Sequence, residues 1–393
     1  MNPNTPVITS AVRTPIGSFN GALADVSAPA LGAHVLKENL NRSNVEPGEV
    51  DEVLLGMILQ GNAGQAPARQ AAIFAGIPTS VSAWTVNKVC SSGLRAVMSA
   101  AQPILLGEAK IMIAGGMENM SQAPYYLDGA RKGYRLGNGV LIDGMIKDGL
   151  WDPYNNQHMG MCAELCAKEK KISRAAQDEF AAESYRRALD SIKNGKFKDE
   201  IIPVIIKSRK GEVTVDTDEE PAKVDFAKLP SLKPAFDKEG SVTAANASKI
   251  NDGAAAVMVM SYEEAKRRGL KPMARIVGYS TFSQDPEWFT TAPAGAVERL
   301  LKRIGWSVND VDLWELNEAF AVVALINMSM LGLDAGKVNL LGGAVALGHP
   351  IGASGCRILV TLLTALHQTG GKRGVVGICN GGGEATALAV EVV

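Results

Sequence analysis

The sequence predicts an α/β fold built from two similar halves, with a loop-rich region inserted in the first, and three observations carry that prediction. Apolar runs such as EVLLGMIL (52–59), KIMIAGG (110–116) and GVVGIC (374–379) are short, continuous and bounded by turn residues. Strands of that kind are buried on both faces beneath helices. Helical spacing follows at Leu94, Val97, Met98 and Ala101, and again at Ile358, Leu359, Leu362 and Leu363. The third observation is that the two ends of the chain echo each other.

Taken in chain order, EPGEVDEVLLGMIL (46–59) places a polar turn before a strand, and SVNDVDLWELNEAF (307–320) repeats the layout. Val50-Asp51 is echoed 261 residues later by Val311-Asp312, and Ser92-Gly93 is echoed 262 residues later by Ser354-Gly355. A third echo aligns AKIMIAGGMEN with RGVVGICNGGGEA as strands that stop at paired glycines, a spacing of 267. A nearly constant register of this kind is the mark of a duplicated unit. The segment between has a different character. After loops rich in Tyr, Asp, Gly and Arg comes one amphipathic helix, capped by Ser173, with Phe180, Tyr185, Leu189 and Ile192 on its inward face. The expected division is residues 1–119 with 250–270 as the N-terminal half, 120–249 as an inserted loop domain, and 271–393 as the C-terminal half.

Composition narrows the function. Forty basic residues against 41 acidic ones give a net charge of −1, so no nucleic-acid face is expected. The charge-free stretch 338–356 holds five glycines, Pro350 and His349, which is not how a membrane helix is written. Five cysteines, an odd number, argue against a disulfide framework and for a reducing compartment. The opening MNPNTPVITS lacks a signal-peptide layout and the closing VEVV is no peroxisomal address, so a cytoplasmic location is expected.

Five residues at four places in the chain could carry chemistry. Cys90, in NKVCSSGLRAV, lies where a strand ends and a helix begins, and a helix N-terminus favours a thiolate. A buried structural cysteine would fit the same position. His349 lies in GHPIGASG between glycine-rich turns with no obvious packing role. Cys379 precedes three glycines, Gly381 to Gly383, whose bare backbone would permit close approach and could turn N–H groups toward an oxyanion, or could simply make a tight turn. Asn317 and Glu318, in NEAFA, follow an apolar strand, where polar groups line sites or cap helices. Cys162 and Cys166 share a helix face without a matching Cys or His pair, so packing rather than metal binding is expected, and no metal site is read. No P-loop or dinucleotide fingerprint is present at a strand-to-helix turn.

The combination is more specific than its parts. NKVCSSGLRAV, GGMENMS, NEAFA, GGAVALGHPIGASG and CNGGG occur in order, and on them the sequence resembles the thiolase family, in its acetyl-CoA acetyltransferase branch, over essentially its full length. The resemblance implies a five-layered αβαβα fold and reversible Claisen condensation of two acetyl-CoA to acetoacetyl-CoA and CoA. It implies Cys90 as the nucleophile that carries the acyl group, His349 as its base, and Cys379 as the second acid/base. One oxyanion hole would use His349 and a water on Asn317; the other, the N–H groups of Cys90 and Gly381. Ser248, Leu150, His158 and Met159 match positions along the pantetheine arm of bound CoA, though a helix cap would explain Ser248 and loop packing the others, and Lys223, a further CoA candidate, falls near an arginine that stacks on adenine in relatives. CoA is a co-substrate there and no cofactor is implied. Relatives are usually homotetramers, dimers of dimers. Related alternatives are a longer-chain 3-ketoacyl-CoA thiolase and a cysteine-dependent acyl-CoA hydrolase, which would not need Cys379. A ketoacyl-synthase-like enzyme would need a second histidine in a suitable setting.

Three departures stand out. Ser91 replaces a usual Gly or Ala, and Asn380 replaces the Ile of many bacterial members. Mitochondrial relatives have a potassium-site tyrosine where DTDEEPAKVDF has Pro221, so potassium dependence is not carried over.

Overall fold

A computed structural model describes residues 1–208 and 211–393. The strands are β1 (Pro6–Arg13), β2 (Glu52–Gly56), β3 (Ser82–Val86), β4 (Ile111–Asn119), β5 (Asn251–Ser261), β6 (Ala274–Ser283), β7 (Leu313–Leu316), β8 (Arg373–Asn380) and β9 (Glu384–Val392). With the short pair Gly17–Ser18 on β5, they form one ten-stranded sheet in the order β7-β8-β9-β6-β1-β5-β4-β2-β3. The two halves of that sheet meet at β1 and β6 through only Val7↔Arg275 and Ile8↔Ala274.

Each half repeats the other. β2 pairs parallel with β4, and β7 with β8; β5 then runs antiparallel to β4, as β9 does to β8. The match extends to side chains. Asp51 Oδ2 accepts the N–H groups of Lys110 and Ile111 at 2.7 and 2.8 Å. Asp312 Oδ2 accepts those of Lys372 and Arg373 at 2.7 and 2.9 Å. β3 has only a vestige in the second half, a single parallel bridge between Trp314 and Val338.

Helices α1 (Ala28–Ser43) and α2 (Pro67–Phe74) cover the outer face of the first half; α3 (Ser92–Leu106) lies on its inner face. Within the segment between β4 and β5 are α4 (Met159–Glu169) and α5 (Arg174–Lys193). α6 (Ala292–Ile304) and the end of α7 (Ala321–Leu331) cover the outer face of the second half, and α8 (Ile351–Thr369) joins α3 in the middle. Along β5, Ala255, Val257 and Val259 join the central core, while Ala254, Ala256 and Met258 join the outer one. That alternation buries both faces and explains why the strands read as unbroken apolar runs. The result is five layers. The echoed Ser-Gly pairs lie where α3 and α8 cross: a Cβ on Gly355 would stand 2.5 Å from the Leu94 nitrogen, and one on Gly93 2.9 Å from that of Cys356.

Two sequence expectations change. Gly115 and Gly116 do not end β4 but lie inside it, where a Cβ on Gly116 would run into the Gly352 carbonyl of α8. β4 and β8 therefore correspond at the same spacing as the other elements: Val53↔Ile113 matches Trp314↔Val375. On α5 only Tyr185 of the four expected residues is buried; the inward face is Gln177, Ala181, Ser184, Ala188 and Ser191. Close contact selects these small residues, because Gly342 leaves no room beyond Ala188 and the Ser184 carbonyl. Ser173 does cap the helix, accepting the Ala176 N–H at 3.2 Å.

Candidate active site

Cys90 follows β3 and stands just before Ser91, the N-cap of α3. Val89 takes φ +46°, in the left-handed region. For a β-branched residue this costs about 1–3 kcal/mol, a strain that persists only where the surroundings enforce it. They do: Asn87 Oδ1 accepts the Val89 N–H at 3.1 Å, and Ser92 Oγ donates to the Val89 carbonyl at 2.6 Å while accepting the Lys88 N–H at 2.8 Å. This turn holds Cys90, which is half-buried, beneath the loop that carries Gly381.

The thiol of Cys90 is pushed up to about 12, first by burial and also by the Glu118 carboxylate, against the N–H groups of Cys90 itself and Gly381. The helix terminus therefore does not leave a resting thiolate; Cys90 needs a base. Cys379, 1% exposed at the end of β8, is raised well above the ordinary thiol value, first by burial and then by Cys90. A charge on Cys90 thus opposes ionisation of Cys379.

His349 is buried, and burial drives its imidazole down to about 3, with Arg357 adding to the effect, so the ring is neutral. Nδ1 lies 2.6 Å from Ser354 Oγ, and that hydroxyl donates to the Pro350 carbonyl at 2.9 Å. A serine has one proton, so both bonds form at once only if Nδ1–H donates to Ser354. Nε2 then carries the lone pair, which is the form a base requires. Asn251 Oδ1 accepts the His349 N–H at 2.9 Å, which fixes the backbone. Asn317 Nδ2 approaches Nε2 at 3.5 Å, and Asn317 Oδ1 is buried without a protein partner. Such an oxygen suits a bound water. Neither Asn317 nor Glu318 caps the helix that follows them, whose N-cap is Phe320: Glu318 accepts from Ser184 Oγ, Asn339 Nδ2 and the Val345 N–H at 2.7, 2.8 and 3.1 Å.

The triple glycine serves two purposes. Gly382 and Gly383 have φ of +86° and +77° and form the turn from β8 to β9, with the Gln284 carbonyl pressed against Gly383. Gly381 alone faces the cysteines; a Cβ there would make ordinary contacts with Val89 and Met159 at 3.6 and 3.8 Å. The turn reading therefore accounts for two of the three.

The CoA candidates divide. Leu150 packs in the same apolar cluster as Cys90, and Met159 in that of Cys379. His158 caps α4, its Nδ1 accepting the Gly160 N–H at 3.0 Å, and stacks on Phe236 at 4.7 Å between ring centroids. Ser248 caps no helix; its N–H donates to the Ala319 carbonyl at 3.0 Å. Lys223 lies apart from the cysteines in a groove of about 340 Å³, bonded to Ser18 and, at 3.2 Å, to Glu220. Among the described residues no cluster of His, Cys, Asp or Glu could hold a metal ion.

Sequence reasoning missed the supports. Glu118, fully buried, accepts the N–H groups of Ile58, Leu59 and Gly352 at 3.0, 3.1 and 2.9 Å and braces the start of α8. Ser354 was visible only as a repeat marker. The two departures, Ser91 and Asn380, touch: Ser91 Oγ donates to Asn380 Oδ1 at 2.7 Å, and Asn380 Nδ2 donates to the Gly381 carbonyl at 2.9 Å.

Comparison with known proteins agrees with this geometry. Residues 6–263 match the thiolase N-terminal domain and residues 270–392 the thiolase C-terminal domain. An acetyl-CoA acetyltransferase of Yarrowia lipolytica is 55% identical, covering 99% of this chain and 97% of that protein. One from Cupriavidus necator is 54% identical, with 98% of each covered. The crystal structure of Bacillus anthracis acetyl-CoA acetyltransferase superposes with a TM-score of 0.97 at 46% identity, with 99% of each chain covered. The chain belongs to the thiolase family.

Proposed function

We propose that this protein is an acetyl-CoA C-acetyltransferase, interconverting two acetyl-CoA with acetoacetyl-CoA and CoA through an acyl group on Cys90. The observations that support the mechanism are that both cysteines are held as thiols and that Ser354 takes the Nδ1 proton of a neutral His349, leaving the ring's lone pair on Nε2. Nε2 takes the Cys90 proton as sulfur attacks the thioester carbonyl. The oxyanion forms against the N–H groups of Cys90 and Gly381, and each such donor is worth about 3 kcal/mol. Cys379, held protonated at rest, gives its proton to the departing CoA sulfur. As a thiolate it then removes the α-proton of a second acetyl-CoA. The enolate oxygen rests on Nε2–H and a water held by Asn317 while its carbon attacks the Cys90 acyl group. Cys90 leaves as thiolate and recovers its proton from His349; Cys379 keeps the α-proton, so both thiols are restored.

Leu150, His158, Met159, Ser248 and Lys223 are proposed to line the CoA arm. Short acyl chains, a cytoplasmic location and a homotetramer complete the proposal. The test is CoA-dependent cleavage of acetoacetyl-CoA by the wild type and by Cys379→Ala, with acyl labelling of Cys90. The variant should still acylate but complete neither cleavage nor condensation. Full activity in the variant, or thioester hydrolysis alone in the wild type, would favour a cysteine hydrolase.

A further inference from the structure

Lys88 and Glu384 form an ion pair that the mechanism above does not use. Their side chains are 21% and 32% exposed, and a pair so placed adds little to stability by itself. Glu384 is nonetheless the hub of a larger set of bonds. Its Oε2 takes the Lys88 ammonium and, at 3.3 Å, the side-chain amide of Asn380, while Oε1 accepts from Ser283 Oγ at 2.9 Å. Desolvation works against its charge, yet Lys88 and the other donors hold the carboxyl below its ordinary value, so Glu384 is ionised.

These residues flank the two segments that meet at Cys90. Asn380 and Glu384 face each other across the β8–β9 hairpin and bracket the three glycines. Lys88 and Ser91 bracket Val89 and Cys90, and the Ser91 N–H closes that turn on the Lys88 carbonyl at 3.1 Å. Each end of the glycine turn is thus tied to one end of the cysteine turn. Asn380 Oδ1 accepts from Ser91 Oγ at 2.7 Å, and Glu384 accepts from Lys88. Glycine gives up more backbone freedom than any other residue when it is fixed, so three in a row do not hold a peptide N–H in place by themselves. Packing does not hold Gly381 either, since even a Cβ there would meet nothing closer than Val89 at 3.6 Å. Its N–H is nevertheless directed at the Cys90 sulfur. We propose that Lys88 and Glu384 are positioning residues: their ion pair, together with the Ser91–Asn380 bond, clamps the glycine turn to the cysteine turn and keeps the Gly381 N–H aimed at the sulfur and at the oxyanion that forms beside it.

The role at the oxyanion rests on the acyltransfer reading, whereas the aim at the Cys90 sulfur does not. Two measurements keep them apart. One is rapid-mixing acylation of Cys90 by acetyl-CoA. The other is alkylation of Cys90 by iodoacetamide at a fixed alkaline pH, located by peptide mass spectrometry, which needs no acyl transfer. Lys88→Met, Glu384→Met, their double variant and Lys88→Arg are compared with the wild type. The sign of the effect separates a clamp from a charge. Through charge alone, loss of Lys88 would disfavour a thiolate or an oxyanion, and loss of the Glu384 carboxylate would favour both. Through a clamp, both losses act in the same direction. Lys88→Met and Glu384→Met should each slow acylation about tenfold at saturating acetyl-CoA, less than outright removal of an oxyanion donor costs, with KM little changed. Both should also slow alkylation, and the double variant should be no slower than the slower single. Lys88→Arg, which keeps the pair, should restore most of the rate, and all four melting temperatures should stay close to that of the wild type. Faster acylation or alkylation in Glu384→Met, additive losses in the double variant, or wild-type rates in both singles would each overturn the proposal. If the wild type forms no acyl-Cys90, the acyltransfer reading fails, yet slowed alkylation in both singles still sustains the clamp. Normal wild-type acylation with unslowed alkylation in the singles overturns the clamp alone.

Discussion

Replacing Ser354 with alanine removes the group that sets the His349 tautomer while deleting a single oxygen from the buried start of α8. The Ser354 Oγ contact to Nδ1 is short, 2.6 Å, and it holds the proton away from Nε2. When Nε2 takes the Cys90 proton, this becomes a bond from a charged imidazolium, worth about 1.5–3 kcal/mol. At about 1.4 kcal/mol per factor of ten, its loss lowers kcat/KM roughly ten- to a hundredfold. The assay is rapid-mixing acylation of Cys90 by acetyl-CoA, together with steady-state cleavage of acetoacetyl-CoA. Both should fall together, because the imidazole acts in attack and in enolate stabilisation. Threonine at this position, which keeps the hydroxyl, should restore most of the rate. Acylation within twofold of wild type in Ser354→Ala would refute the tautomer argument, since Nε2 would then be basic without Ser354.

Three other outcomes follow from the same structure. Ser91→Ala leaves Asn380 Oδ1 buried without its donor, a loss of about 1–3 kcal/mol; Ser91→Ala with Asn380→Ile should be more stable than the sum of the singles, measured as a double-mutant cycle by chemical denaturation. Glu118 is raised to about 7 by burial. Between the ordinary carboxyl value and that point the folded state keeps a proton that the unfolded chain releases, so stability declines as pH rises. Glu118→Gln should remove this one contribution from the pH profile of the melting temperature, while Glu315, raised to about 8 by burial, keeps a contribution of the same sign and His349, lowered from 6.5 to about 3, keeps the opposite one. Gly355→Ala should prevent folding or lower the melting temperature severely, because its Cβ would lie 2.5 Å from the Leu94 nitrogen at the crossing of α3 and α8.

Much of this was legible in the sequence. Apolar runs marked β2, β4 and β8 because both their faces are covered, and the Ser-Gly echo, read only as a repeat marker, lies where two helices cross. The five cysteines and four histidines left few candidates for nucleophile and base, and Cys90, His349 and Cys379 stood out by their small-residue settings. What failed was local reasoning about spaces between elements. Gly115 and Gly116 read as a strand end, yet they lie within β4 to let α8 approach. The inward face of α5 is chosen by close contact with Gly342, so Ala and Ser point in where larger side chains were expected.

The sequence by itself determined the duplicated α/β plan, the family and the small set of residues that could do chemistry, because hydrophobic period, repeat spacing and motif order are properties of the chain alone. Only the tertiary structure decided their states. Burial raises both thiols, keeps His349 neutral, and makes one serine hydroxyl choose its tautomer. Those outcomes depend on desolvation and, for the two cysteines, on groups brought together from opposite ends of the chain, which no local pattern encodes.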